Sequence, residues 1–347
     1  MDFAQNLLFW YRKNQRDLPW RRTKDPYKVW LSEIILQQTR VDQGLPYYEA
    51  FVSAFPTVRD LAKAPADKVM KLWQGLGYYS RARNLHEAAK TVVKDFGGNF
   101  PDNYGDLLKL KGVGEYSASA ISSICYGEPK AVVDGNVYRV LSRIFGVTDA
   151  IDSTKGKKVF RELANELLFA KDPGNYNQAI MEFGAKQCVP KRPDCANCIF
   201  VLSCVARKKK LVDQLPVKEK KTKVRERHFN YLIIEHNKKI FVKQRKEKDI
   251  WQGLFDFPMI ETAKATIVKK LSAGKEWKKI FGKTKLEITK TSDEVKHILS
   301  HQNLFIRFIH VSVNEKFKAE KNWKAVKKAE LKKFAVPIVI HKYLFEE

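Results

Sequence analysis

Four cysteines within 17 residues constrain this chain more than any other feature. The stretch "CVPKRPDCANCIFVLSC" spaces Cys188, Cys195, Cys198 and Cys204 as C-x6-C-x2-C-x5-C, while the fifth, Cys125, stands alone in an apolar pattern and reads as a small core residue. The opening "MDFAQNLLFWYRKNQ" carries no leader-like apolar segment with a small-residue cleavage site. A disulfide framework is therefore a poor reading, and metal or redox chemistry a better one. Zinc usually takes two paired C-x2-4-C knuckles, and only one short pair is present. Four thiolates in a single loop suit a [4Fe-4S] cluster at least as well. Ligand type alone leaves both metals open, and the spacing favours iron.

A loop of this kind needs a scaffold, and the preceding sequence supplies a helical one. Residues 1 to about 205 read as helices joined by short loops. In "PYKVWLSEIILQQ", residues 26–38, Trp30, Glu33, Ile34 and Gln37 fall at i, i+3, i+4 and i+7, so a carboxylate shares a face with apolar side chains. "DGNVYRVLSRIFG" repeats the pattern with Val137, Val140, Leu141 and Ile144, opened by Asp134 and Asn136 and stopped by Gly146. In "LKLKGVGEYSASA", residues 108–120, the Gly112-Val113-Gly114 turn joins two helical patterns. Glycines let backbone N–H groups face outward, so this turn, the helix starting near Glu115, and Lys109 and Lys111 form a candidate phosphate site. A plain helix cap is equally common for so short a motif.

Charge decides which polyanion is at issue. Lys and Arg number 65 against 39 acidic residues among 347, a formal net charge of +26, which favours nucleic acid over an anionic membrane surface. No apolar run approaches the roughly 18 residues needed to span a bilayer, and a bacterial cytoplasm or nucleoid is the expected location. The length allows two or three domains. The charge-dense stretch 207–227 reads as a basic linker, after which "FNYLIIEHNKKIFVKQR" suggests two strands around a His236-Asn237 turn. A helix-like stretch follows near 263–272, then the β-rich "KHILSHQNLFIRFIHVSV".

These motifs together resemble the helix-hairpin-helix base-excision DNA glycosylases. "LKGVGEYSASA" is similar to their hairpin, and Asp134 stands about 20 residues later, as that superfamily's catalytic aspartate does. The cysteine loop resembles the iron-sulfur loop of the endonuclease III branch. "LPWRRTKDPYKVWLSEIILQQTRV" and "QGLGYYSRARNLHEAA" resemble the MutY-type adenine glycosylases, which remove adenine mispaired with 8-oxoguanine. The likeness runs from about residue 5 to 205, and continues more thinly through "IWQGLFDFP" and "LSH". It implies a helical glycosylase domain over 1–206, with the hairpin at 108–120 and the cluster loop at 188–204, the linker 207–227, and a smaller α+β Nudix-like domain over 228–347.

The resemblance also implies roles. Adenine leaves poorly as an anion, so one carboxyl must protonate the base and another stabilise the sugar cation. By their places in the motifs, Glu33 is the general acid at N7, Asp134 takes the sugar, and Asn136 orients the carboxylates. Trp20, Arg21, Leu36 and Glu182 would line the adenine pocket. Gln38, Thr39 and Tyr78 would meet the DNA where the base is flipped out, and Lys111, Gly112, Val113 and Gly114 would hold phosphate. An ordinary aromatic core position is the lesser alternative for Trp20 and Tyr78. Tyr116 stands where lyase-competent relatives carry a Schiff-base lysine, so base removal without strand cleavage is expected. The cysteines Cys188, Cys195, Cys198 and Cys204 would hold the [4Fe-4S] cluster.

In the tail, Ser300 and His301 match a loop that contacts 8-oxoguanine, with Leu299 where an aromatic residue is usual. The region "ETAKATIVKKLSAGKEWKKIF" lacks the acidic Nudix box, which argues against magnesium-dependent pyrophosphate hydrolysis. Lys111 is a second departure, where proline commonly precedes the hairpin glycine. The expected partner is duplex DNA with A:8-oxoguanine or A:G pairs, bound by a monomer. Two rival readings are a glycosylase-lyase for oxidised pyrimidines, opposed by Tyr116, and a non-catalytic iron-sulfur DNA-binding protein, opposed by intact Glu33 and Asp134.

Overall fold

Apolar residues recurring every three to four positions fold the chain up to Lys208 into helices. In order these are α1 (Phe3–Asn14), α2 (Pro26–Leu36), α3 (Val41–Ala54), α4 (Val58–Lys63), α5 (Ala66–Leu72) and α6 (Ser80–Asp95), then α7 (Tyr104–Leu107), α8 (Glu115–Tyr126), α9 (Gly135–Phe145), α10 (Thr154–Glu166), α11 (Pro173–Lys186) and α12 (Val205–Lys208). A single turn of 3-10 helix, Pro19–Arg21, precedes α2. The computed structural model describes residues 2–219, 224–314 and 317–346. Two units are distinguished, Met1–Ala64 with Arg83–Lys221, and Pro65–Ala82 with Thr222–Glu347.

In the first unit the helix starts are written in short polar side chains. Asp25 accepts from the Tyr27 amide with Pro26 in the first turn of α2, and Asp134 accepts from the Asn136 and Val137 amides at α9. Left-handed Gly127 and Gly146 close α8 and α9. One core joins α1, α9, α10 and α11 through Leu7, Trp10, Val140, Leu141, Phe160 and Phe183. The serine and alanine run of α8 is buried almost throughout, so small side chains let α2 and α11 pack closely on it.

Helix α2 ends two residues earlier than its periodicity suggests. Gln37 caps it with non-helical backbone, and Gln38 takes a positive φ of 55°. Its amide then serves another purpose, since Gln37 Nε2 donates to Ser117 Oγ (3.2 Å) and the Gly112 carbonyl (3.5 Å).

The second unit is built on a mixed sheet. Its strands are β1 (Arg225–His236), β2 (Lys239–Gln244), β3 (Phe255–Asp256), β4 (Met259–Thr262), β5 (Leu286–Thr291), β6 (Val295–Ile298), β7 (Gln302–Val313) and β8 (Trp323–Val326). The order β3-β2-β1-β7-β5 carries β8 on β2, β4 on β1 and β6 on β7. Among the described residues only β1 and β7 run parallel, from Arg225 opposite Gln302 to Glu235 opposite Ser312. Helices α13 (Val268–Ser272), α14 (Lys275–Phe281) and α15 (Ile338–Phe345) accompany the sheet. Every residue of β1 from Phe229 to Ile234 is buried, as a strand covered on both faces must be. Leu232 and Ile234 meet Trp277 and Phe281, and Phe308 stacks on Tyr343 of α15.

Three details differ from the sequence reading. The β1–β2 turn is Asn237-Lys238, both at positive φ, with His236 still in the strand. The helix expected near 263–272 begins at Val268, and α14 follows it after a break at Ala273 and Gly274. The expected linker 207–227 is not solvated throughout. Leu215 is buried, the Ile151 amide donates to the Val217 carbonyl at 3.0 Å, and Arg227 is buried against Asp249 and Glu261. Residues 220–223 of that stretch, and 315, 316 and 347 of the tail, lie outside the described residues.

Candidate active site

Three helices of the first unit bring Glu33, Tyr116 and Asp134 together. Glu33 is buried on α2, Tyr116 is half-buried in the first turn of α8, and Asp134 caps α9. The Tyr116 hydroxyl donates to Met181 Sδ at 3.1 Å and stands within reach of the Glu33 carboxyl. Burial pushes the Glu33 carboxyl up to about 7, the Tyr116 bond opposes that shift, and the nearby Asp134 charge adds to it. Burial also raises Asp134, but three donors hold its charged form: the Asn136 amide at 2.9 Å, the Val137 amide at 2.8 Å and Asn136 Nδ2 at 2.9 Å. Two carboxyls in one site thus have environments that divide the proton between them.

Asn136 is itself fixed. Its Oδ1 accepts from Arg139 at 2.8 Å, and Arg139 also donates to the Gly184 carbonyl (2.7 Å) and the Cys188 carbonyl (2.7 Å). Gly184 is required at that approach, because a Cβ there would lie 2.7 Å from Asn136 Cβ. A hydrogen-bonded chain therefore runs from the start of the cysteine loop to the Asp134 carboxylate.

Glu182, on α11, is wholly enclosed by arginines. Oε1 accepts from the Arg16 amide (3.0 Å) and Arg16 Nε (2.8 Å), and Oε2 from Arg16 (2.7 Å) and Arg21 (2.8 Å). Burial alone would raise this carboxyl, but the arginine bonds outweigh it and hold Glu182 down at about 2. Trp20 packs edge-on to Tyr48 at 5.0 Å, and Leu36 lies where a Cβ on Gly44 of α3 would be 2.7 Å from its Cδ2. Arg16 and Met181 are the residues the sequence reading missed. Neither sits in a motif with chemical spacing, and Arg16 meets Glu182 across 166 positions of chain.

The hairpin turn is formed as its glycines suggest. Gly112 has a φ of +85°, and a Cβ there would lie 2.9 Å from Asn84 Cβ. Gly114 caps α8, Val113 is buried beneath the turn, and Lys111 and Gln38 are exposed. Lys109, by contrast, is paired with Asp106 at 2.6 Å. Thr39 Oγ1 donates to the Gln37 carbonyl at 3.4 Å.

The four loop cysteines are unpaired and line one small cavity with Arg143, Phe183 and Gln187. Arg143 reaches Cys188 Sγ at 3.5 Å and the Val189 carbonyl at 2.8 Å, and the Phe200 amide donates to Cys198 Sγ at 3.4 Å. Among the described residues no three His, Cys, Asp or Glu side chains are arranged around a single metal ion. In the second unit, 299–301 form the β6–β7 turn, with Ser300 exposed and hydrogen-bonded to the Tyr78 hydroxyl. The His301 carbonyl accepts from the Arg225 amide at 3.0 Å.

Residues 31–167 match the HhH-GPD superfamily of base excision DNA repair proteins, and residues 230–346 match the NUDIX domain. An endonuclease III–DNA complex superposes with a TM-score of 0.52 at 20% identity over 60% of this chain and 94% of that one, a likeness of fold. A thermostable thymine-DNA glycosylase gives 0.56 at 32% identity, covering 60% and 95%. Fold and site thus define a helix-hairpin-helix base-excision enzyme followed by a Nudix-like domain. The adenine DNA glycosylase of Buchnera aphidicola subsp. Schizaphis graminum is 36% identical over 319 residues, 91% of this chain and 88% of its own. The human adenine DNA glycosylase is 43% identical over 222 residues, 61% of this chain and 41% of its own. The chain belongs to the adenine DNA glycosylase family.

Proposed function

We propose that this enzyme hydrolyses the N-glycosidic bond of adenine opposite 8-oxoguanine, and opposite guanine, in double-stranded DNA, leaving the strand intact. The observation that carries the reading is the carboxyl pair: burial pushes the Glu33 carboxyl up to about 7, while Asp134, which burial also raises, accepts from three donors that favour its charged form. Glu33 protonates the flipped adenine at N7, and the C1′–N9 bond breaks with the electron pair moving to the base. Asp134 stabilises the sugar cation by charge or a transient bond until water adds. Asn136, fixed by Arg139, keeps that carboxylate in place. Arg21 and Glu182, with Trp20 and Leu36, form the adenine pocket, and the anionic Glu182 holds Arg16 and Arg21 in place at its wall. Tyr116 has no amine to form a Schiff base, which supports base removal over strand cleavage.

Gln38, Thr39 and Tyr78 meet the DNA around the flipped position, Lys111 and the 112–114 turn hold phosphate, and Ser300 and His301 read the lesion. The domains meant are 1–206, 207–227 and 228–347. The donor set fits a [4Fe-4S] cluster: Cys188, Cys195, Cys198 and Cys204 line one cavity, and N–H groups of Arg143 and Phe200 face two of the sulfurs. Such a cluster takes one thiolate per iron, so the thiols need not converge on one point. When bound it would supply a rigid tie for the loop. The Nudix-box region bears Lys269, Lys270, Lys275, Lys278 and Lys279, which supports binding rather than magnesium chemistry in that domain. The enzyme acts as a monomer in the bacterial cytoplasm or nucleoid; no helix among the described residues is long and apolar enough to cross a membrane. A glycosylase assay on duplexes with A opposite 8-oxoguanine, guanine or thymine tests the reading. Excision in the first two and little in the third is expected, and no excision from any overturns it.

A further inference from the structure

We propose that the Met181 thioether is a positioning group for the reaction, accepting a hydrogen bond from the Tyr116 hydroxyl while Glu33 carries its proton and so keeping the phenol oriented to accept from Glu33. The inference rests on Glu33 as general acid. A tyrosine hydroxyl has one proton and two lone pairs. Here it donates to Met181 Sδ at 3.1 Å on α11, and the Glu33 carboxyl on α2 stands within its reach. When the phenol donates to sulfur, the Glu33 bond must be donated by Glu33, which is then neutral. When Glu33 is ionised, the charge-assisted bond is the stronger, and the phenol turns its proton to the carboxylate and leaves the sulfur.

Met181 therefore favours the protonated acid before chemistry, at no cost in buried unpaired groups. As the Glu33 proton passes to adenine N7, the phenol rotates from sulfur to the new carboxylate. The phenol keeps its own proton throughout, so only one proton is transferred. Thioether sulfur suits this use because it is a weak acceptor, easily abandoned. The other groups that face Glu33 are Asp134 at the start of α9, Arg21 before α2, and Cys125 on α8; Asp134 also faces the phenol. None of them offers the phenol a neutral acceptor.

The test is the pH profile of single-turnover adenine excision by the full chain with Met181→Leu, which keeps side-chain volume and removes the acceptor. Wild type and M181L should agree at the acidic end, about pH 5.5. At about pH 8 M181L should be roughly 3- to 10-fold slower, the fold-change of one ordinary hydrogen bond. In a Tyr116→Phe background the same substitution should change nothing at either pH. A profile unshifted from wild type overturns the proposal. So does a loss that is equal at all pH values and persists with Tyr116→Phe, since that marks Met181 as packing alone. Glu33→Gln separates the two levels: activity within tenfold of wild type removes the general acid and this proposal with it, whereas an inactive E33Q beside an unshifted M181L overturns this proposal only.

Discussion

Replacing Glu33 by glutamine separates its chemistry from its fit. Burial pushes its carboxyl up to about 7, so the folded state favours the neutral form. A raised carboxyl contributes stability that is fully present below its unfolded pKa and lost as pH rises through about 7. Glu33→Gln should accordingly be more stable than wild type at pH 8, by up to about 3 kcal/mol, with the difference vanishing towards pH 4. Melting curves at the two pH values measure it, and an equal difference at both contradicts the titration. Arg16→Ala should do the reverse at neutral pH. It strips two of the four bonds from a buried carboxylate, at a cost on the order of 2 kcal/mol in denaturant titrations. Tyr116→Lys places an amine where the phenol stands, and should yield a borohydride-trapped DNA adduct. No adduct would mean that this side chain does not face the sugar.

At the scale of elements, the sequence made helix starts plain and helix ends less so. Asp25-Pro26 and Asp134 mark their helices because a short acceptor must meet free amides, and those residue types do little else so well. The end of α2 has no glycine or proline to mark it. It is set by Gln37 bonding across to Ser117 and the hairpin, a long-range contact that periodicity cannot see. The hairpin turn was legible because only glycine takes a φ of +85° without strain, as Gly112 does. Gly112→Ala should weaken duplex binding several-fold irrespective of sequence. Lys111→Ala should lower the slope of log affinity against log salt by about 1. An unchanged slope, read by fluorescence titration across a salt series, would take Lys111 off the phosphate backbone.

Across the whole molecule, the motifs that carry Glu33 and Asp134, the acids of the proposed reaction, and the cysteine loop stand out because each is a short local pattern. Arg16, Met181 and the inclusion of Pro65–Ala82 in the second unit do not, for these depend on pairings far apart along the chain and leave no shift in composition. The parallel pairing of β1 with β7 was equally hidden, although the apolar run from Tyr231 to Ile234 in β1 fits a strand covered on both faces. The central claim is that a buried, protonated Glu33 drives adenine loss, and single-turnover excision from an A:8-oxoguanine duplex at pH 7 tests it most directly. The account predicts that Glu33→Gln binds the duplex as wild type does and excises adenine at least about 100-fold more slowly. Excision within tenfold of wild type would contradict it.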